Sequence, residues 1–167
     1  MNHPFPVVIG AAIAVFGSGC ASRPPQLAFS RADVRRILAT TTHPVRSVQQ
    51  IPHTAMKELA RLAGEDQFRI ANPGQSFNFF DYGVDDTLPN RQLVFATISD
   101  RYFVICYDLG GFAPSRCVVV LALYRDDASP WLVAKWSLKV DNPNLEKLRS
   151  AYDRNQLYEY HPTLHEF

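Results

Sequence analysis

The sequence predicts an α+β fold: a four-stranded antiparallel meander over about residues 92–140, with helices packed on it before and after. Residues 92–99, 102–109, 117–124 and 131–140 form four successive runs rich in β-branched and aromatic side chains. The breaks between them, at Asp100-Arg101, 110–116 and 125–130, have hairpin length, so each run is expected to pair with the next. Outside this region, apolar residues recur at helical spacing over 31–40 and 54–63 and again after Pro143.

Ser30 stands three residues before Asp33, the pattern of a capping box, and Val34, Ile37 and Leu38 then share one helical face. Thr41-Thr42-His43-Pro44 ends that helix, because the residue before a proline avoids the α region. The second helix places Met56, Leu59, Ala60 and Ala63 on one side and stops at Gly64. Asn72-Pro73-Gly74 signals a turn, and the aromatic stretch 77–81 reads as a short strand. A last helix follows Asp141-Asn142-Pro143, with Leu145, Leu148 and Tyr152 on one stripe.

The central runs constrain the architecture. Residues 117–124 are apolar on both faces and residues 103–106 nearly so, whereas a half-solvated antiparallel strand alternates. Both faces of the sheet therefore need cover. The helices are expected on one side, leaving a second sheet layer, barrel-like curling or a partner for the other. Trp131 and Trp136 are an odd number of positions apart and face opposite ways in a regular strand.

Three segments organise the chain: 1–19 as a signal peptide, 20–27 as a tether, and 28–167 as a single globular domain, long enough for one stable core. The formal charge of +1 argues against nucleic acid or a generic acidic partner, whose recognition needs a clustered basic face. Residues 7–16 form an uncharged apolar run of signal-peptide length, too short to cross a bilayer as a helix. Ser18, Gly19 and Cys20 follow directly, and with them the leader resembles the lipobox of bacterial lipoproteins. That resemblance implies cleavage before Cys20 and lipid attachment to its thiol. Ala21, standing where an inner-membrane retention signal has Asp, implies sorting to the outer membrane with the domain on its periplasmic face. The alternatives are a plain secretory signal, giving a soluble periplasmic protein, or an uncleaved anchor.

With Cys20 lipidated, Cys106 and Cys117 remain, and an even remainder in an oxidising compartment reads as a disulfide. A hairpin folded about Gly111 and Phe112 sets 106 opposite 117, close enough to bridge. The alternative is two buried thiols acting as small hydrophobes.

The sequence holds no Gly-x-Ser-x-Gly elbow, phosphate-binding loop, His-Glu-x-x-His or Cys-x-x-Cys, so no catalytic residue, metal or cofactor is assigned. His161 and His165 read as a polar tail, and Asp81, Asp85 and Asp86 as a solvated turn. The loop after residue 109 has more to offer. Gly110 and Gly111 free its backbone, and Phe112 and Arg116 are types that anchor interfaces, so these four are the expected partner-binding residues; the alternative folds Phe112 back onto the core. The plan is similar to small bacterial envelope lipoproteins of unassigned role, among them periplasmic inhibitor and immunity types. It implies a lipid-anchored, non-enzymatic module that recognises an envelope or toxin protein. The alternative is an envelope hydrolase acting on peptidoglycan or lipid, drawing on Asp81, Tyr82, Asp108, Tyr107 and His53. Radioactive palmitate should label the expressed chain and Cys20→Ala should abolish the label; equal labelling of the mutant would contradict lipid attachment at Cys20.

Overall fold

The computed structural model describes residues 29–80, 85–123 and 130–159; the segments read from the sequence as signal peptide and tether, with Cys20, lie outside them. The first helix, α1, runs Arg31–Thr40. Its capping box forms as expected: Asp33 N–H donates to Ser30 Oγ, and Ser30 N–H donates to the Asp33 carboxylate. Those bonds hold the Asp33 carboxyl below the usual carboxylate range. Next come a three-residue strand β1 (His43–Val45) and helix α2 (His53–Ala63), which stops at Gly64 with a φ of 70°. The meander follows as β2 (Arg91–Ile98), β3 (Tyr102–Leu109), β4 (Ser115–Ala122) and β5 (Trp131–Ser137). Helix α3 (Leu145–Asp153) and a two-residue strand β6 (Tyr158–Glu159) complete it.

The four expected strands thus form the middle of a six-stranded antiparallel sheet of order β1-β2-β3-β4-β5-β6. The two additional strands are edge strands too short to give a period-2 signal in the sequence. The aromatic stretch 77–80 is not a strand.

Cover comes from helices on both sides, with no second sheet among the described residues. On one face Phe103, Ile105, Tyr107, Cys117, Val119 and Leu121 pack beneath Ala55, Leu59 and Ala60 of α2 and beneath Phe68. On the other, Val104, Cys106, Val118 and Val120 pack beneath α1 (Val34, Ile37, Leu38) and α3 (Leu148, Ala151). The result is a three-layer sandwich with β3 and β4 at its centre. Among the described residues, no helix is long and apolar enough to cross a membrane.

Register corrects two expectations. β3 and β4 pair with Cys106 opposite Val118 and Tyr107 opposite Cys117, one residue away from the register that would oppose the cysteines. Because side chains alternate, that single step puts the two sulfurs on opposite faces of the sheet. Cys106 lies in the α1–α3 layer and Cys117 in the α2 layer, and no disulfide joins them. Burial pushes the Cys106 thiol well above its ordinary value, leaving it inert. A register shift in β5 places Leu132 opposite Leu121 but Ala134 opposite Val120. With that bulge, Trp131 lies opposite Ala122 and Trp136 opposite Val118, so both tryptophans belong to the same face.

Mass spectrometry of the mature protein should therefore find no mass change at Cys106 and Cys117 on reduction, and alkylation of both only after unfolding. A reducible link between them would contradict the register. Leu148→Ala, emptying a fully buried site between α3 and the sheet, should cost about 2–5 kcal/mol in urea denaturation.

Candidate functional site: an aromatic tip

At the end of the sheet where β3 turns into β4, two chain segments lie side by side. One is the turn 110–114; the other is residues 75–80. Their contact is a backbone contact and it depends on glycine. Gly110 N–H donates to Asn90 O at 2.8 Å, and Gly111 N–H donates to Phe79 O at 3.2 Å. A Cβ on Gly110 would fall 1.8 Å from the Asn78 carbonyl oxygen, so only glycine fits there. Gly111 has a φ of 132°, a region that also favours glycine.

Asn78 fastens the second segment. It is buried, and its Nδ2 donates to Asp85 O (2.8 Å), Leu88 O (3.3 Å) and Asn90 Oδ1 (3.2 Å). Its Oδ1 accepts from Asp85 N–H at 3.1 Å, and its own N–H donates to Pro89 O at 2.9 Å. Asp85 in turn accepts from both the N–H and the hydroxyl of Thr87, which holds its carboxyl below the usual range. One amide side chain thus ties residues 85–90 to the aromatic segment with both of its ends used.

This frame carries phenylalanines outward. Phe77 and Phe79 meet edge-on with centroids 5.6 Å apart, and Phe79 and Phe80 do so at 4.6 Å. Phe79 is 41% exposed, Phe80 47% and Phe112, on the neighbouring turn, 95%. Segments 75–80 and 109–115 contain no charged residue. The outcome is an uncharged aromatic tip on a frame fixed by backbone hydrogen bonds.

Arg116 has a different place from the one expected. Its Nε and Nη2 donate to the two oxygens of Asp108, its cross-strand partner, at 2.6 and 3.1 Å, and its Nη1 donates to Val140 O at 2.8 Å. The hydrogen-bonded Asp108 carboxylate holds the Arg116 guanidinium's pKa above its ordinary value. With its guanidinium committed on both sides, Arg116 clamps the base of the hairpin to the segment after β5, whereas Phe112 does not fold back onto the core.

Of the residues at this tip, the sequence pointed to Gly110, Gly111 and Phe112 and not to Asn78, Phe79 and Phe80. The aromatic run 77–80 read as strand because phenylalanine favours strands, and nothing local revealed that its backbone would serve as a rest for Gly110.

Of the residues grouped for a hydrolytic reading, the described ones, Tyr107, Asp108 and His53, do not converge. Tyr107 is buried, set edge-on to Phe68, with its hydroxyl pushed up by burial. Asp108 lies on the opposite face, bonded to Arg116. His53 begins α2 on the exterior, and Asp81 and Tyr82 lie outside the described residues, as do His161 and His165. A polar cleft of about 340 Å³ adjoins Asn78, and three of its charged side chains are engaged: Arg91 pairs with Glu65 at 2.6 Å, and Arg69 donates to the carbonyls of Asp86 and Thr87. Among the described residues, no three His, Cys, Asp or Glu side chains gather as a metal site. No family model matches the chain, and comparison with curated proteins and with solved structures finds no match.

Gly110→Ala should destabilise the protein measurably, because the new Cβ must displace the Asn78 carbonyl. Asn78→Ala should cost about 1–3 kcal/mol by stranding buried backbone groups. Phe112→Ala should leave the melting temperature unchanged; a clear drop would make Phe112 a packing residue.

Proposed function

We propose that this chain is a lipid-anchored envelope protein of the periplasmic face of the outer membrane. It binds a partner protein through the aromatic tip and acts as an inhibitor or immunity-type module. The observation that carries the reading is the exposure of Phe79, Phe80 and Phe112 beside a frame in which the backbones of Asn78, Phe79, Gly110 and Gly111 are hydrogen-bonded. Exposed aromatic side chains are costly to leave in water, and a monomeric protein gains nothing in stability from them. Held rigidly, they lose little conformational freedom when a partner buries them, which is what makes aromatic side chains frequent interface anchors. The lack of charge on the tip suits an apolar pocket in the partner and gives it no electrostatic attraction to phosphate or to acidic polymers.

The leader supports the anchoring half of the reading, through the apolar run and Ser18-Gly19-Cys20. The position of the tip suits it as well. Phe29, where the described chain starts, lines a groove with Arg101 and Tyr102 at the β2–β3 turn. The tip lies at the other end of β3, about 24 Å along the strand by its length. A chain anchored near one end thus presents its aromatic residues at the other.

A photo-crosslinking residue at position 112, in cells expressing the full chain, should trap one discrete envelope or secreted protein. With that protein in hand, Phe112→Ala should weaken binding by about 30-fold or more, as loss of a buried aromatic anchor does. An unchanged affinity would overturn the role of the tip. Hydrolysis of peptidoglycan or lipid by the purified protein, lost on substitution of an aspartate or histidine, would replace the reading with an enzymatic one.

A further inference from the structure

The outer faces of α1 and α3 carry a charge asymmetry that the neutral composition of the chain conceals. Arg31, Arg35, Arg36, Lys147, Arg149 and Arg154 lie on these two helices or at their ends, against Asp33, Glu146 and Asp153. That is a surplus of three positive charges in two short segments, whereas the whole chain has a surplus of one. The helices pack side by side on the same face of the sheet, so their charges form a single surface.

Most of these charges are held in place without being neutralised. Arg31 donates to the carbonyls of Tyr152 and Asp153, Arg149 to those of Leu38 and Ala39, Lys147 to that of Asp141, and Arg154 to Ser150. Among the described residues, Arg35 alone of the six is joined to a carboxylate, that of Asp153 at 2.7 Å. The oxygens that Arg31, Lys147, Arg149 and Arg154 meet carry no formal charge, and Arg36 is exposed with the Asp33 carboxylate in its field, so the two helices keep their positive surplus.

This face also lies where the anchor leads. The chain enters the domain at Phe29 and Ser30 and runs directly into α1. Eight residues separate Cys20 from Phe29, a reach of at most about 30 Å even when extended. We propose that the α1–α3 face rests on the anionic phospholipid headgroups of the bilayer that holds the lipid anchor, which leaves the aromatic tip free. This rests on the anchoring proposed above. Charge complementarity and the short tether select the occupant: a basic face held within reach of a bilayer gains from each anionic headgroup it meets, whereas the uncharged tip gains nothing electrostatic there.

The test uses the full, lipidated protein in vesicles of phosphatidylcholine alone or with one quarter phosphatidylglycerol. A fluorophore is placed on α1 through Ala32→Cys or on the tip through Phe112→Cys, and nitroxide-headgroup lipids serve as quenchers. Quenching at position 32 should rise severalfold with phosphatidylglycerol and fall back in 0.5 M salt, while position 112 stays unquenched. The variant Arg36→Gln, Lys147→Gln, Arg154→Gln should lose the phosphatidylglycerol-dependent part, by roughly fivefold per charge removed. The charge-preserving Arg36→Lys, Lys147→Arg, Arg154→Lys should keep it, separating charge from packing. Flotation distinguishes the two proposals. Protein that floats with neutral vesicles but shows no phosphatidylglycerol-dependent quenching at position 32 is anchored, and the basic-face proposal is overturned. Protein that floats only with phosphatidylglycerol keeps the basic face and loses the anchor. Quenching at position 112 in place of 32 would overturn the orientation.

Discussion

Two strands that are apolar on both faces govern this molecule. From Phe103 to Tyr107 and from Cys117 to Ala122, the described side chains are buried whether they point up or down. Neither face can be left to water, so the sheet folds only when two layers close on it at once. The chain supplies them from both ends: α1 and α3 meet on one face although they are far apart in sequence, and α2 with Phe68 closes the other. Ends and middle are therefore interdependent, and removing either helical layer exposes half of the same two strands. A turn at the end of strands covered in this way inherits their rigidity, which is why the β3–β4 tip can carry exposed phenylalanines in a fixed arrangement.

The tip illustrates how a rigid surface is built from backbone. Gly110 is required because another backbone passes where its Cβ would be. Asn78 spends both ends of its amide on neighbouring chain and none on the surface. Arg116 and Asp108 brace the base of the hairpin. None of these groups touches solvent in a way that recognises anything; together they fix where Phe79 and Phe112 stand. On the proposed function, recognition and support fall to different residues, so the two kinds of variant should separate in their effects on binding and on stability.

What the sequence made legible follows from the strength of its periodic signals. The helices at 31–40 and 54–63, and the four long strands, were readable because their apolar residues repeat over several turns or pleats. The need for cover on both faces was also readable, from the unbroken run at 117–124. The identity of the second cover was not, since the faces of α2 carry no label saying which side of a sheet they will meet. Register was the weakest point. The turn 110–114 fits either of two pairings differing by one residue, and the wrong one brings the cysteines together while the right one divides them between faces. Both runs are apolar throughout, so hydrophobic alternation could not choose between the pairings. The tryptophans of β5 failed for a related reason, because a bulge resets the alternation and leaves no mark in composition. Of the site, Phe112 and its glycines were visible as an unusual loop; its other half, 77–80, was hidden because its role depends on a contact between segments some thirty residues apart.

The central claim is that the aromatic tip is rigid before any partner arrives. Native-state amide hydrogen exchange on the full chain tests it most directly. The amides of Asn78, Gly110 and Gly111 donate to Pro89, Asn90 and Phe79 carbonyls, and should exchange nearly as slowly as those of β3 and β4, with Phe112, at the exposed apex, exchanging freely beside them. Exchange of the three amides at the rate of an unstructured loop would mean that the tip orders only on binding, and would contradict the account.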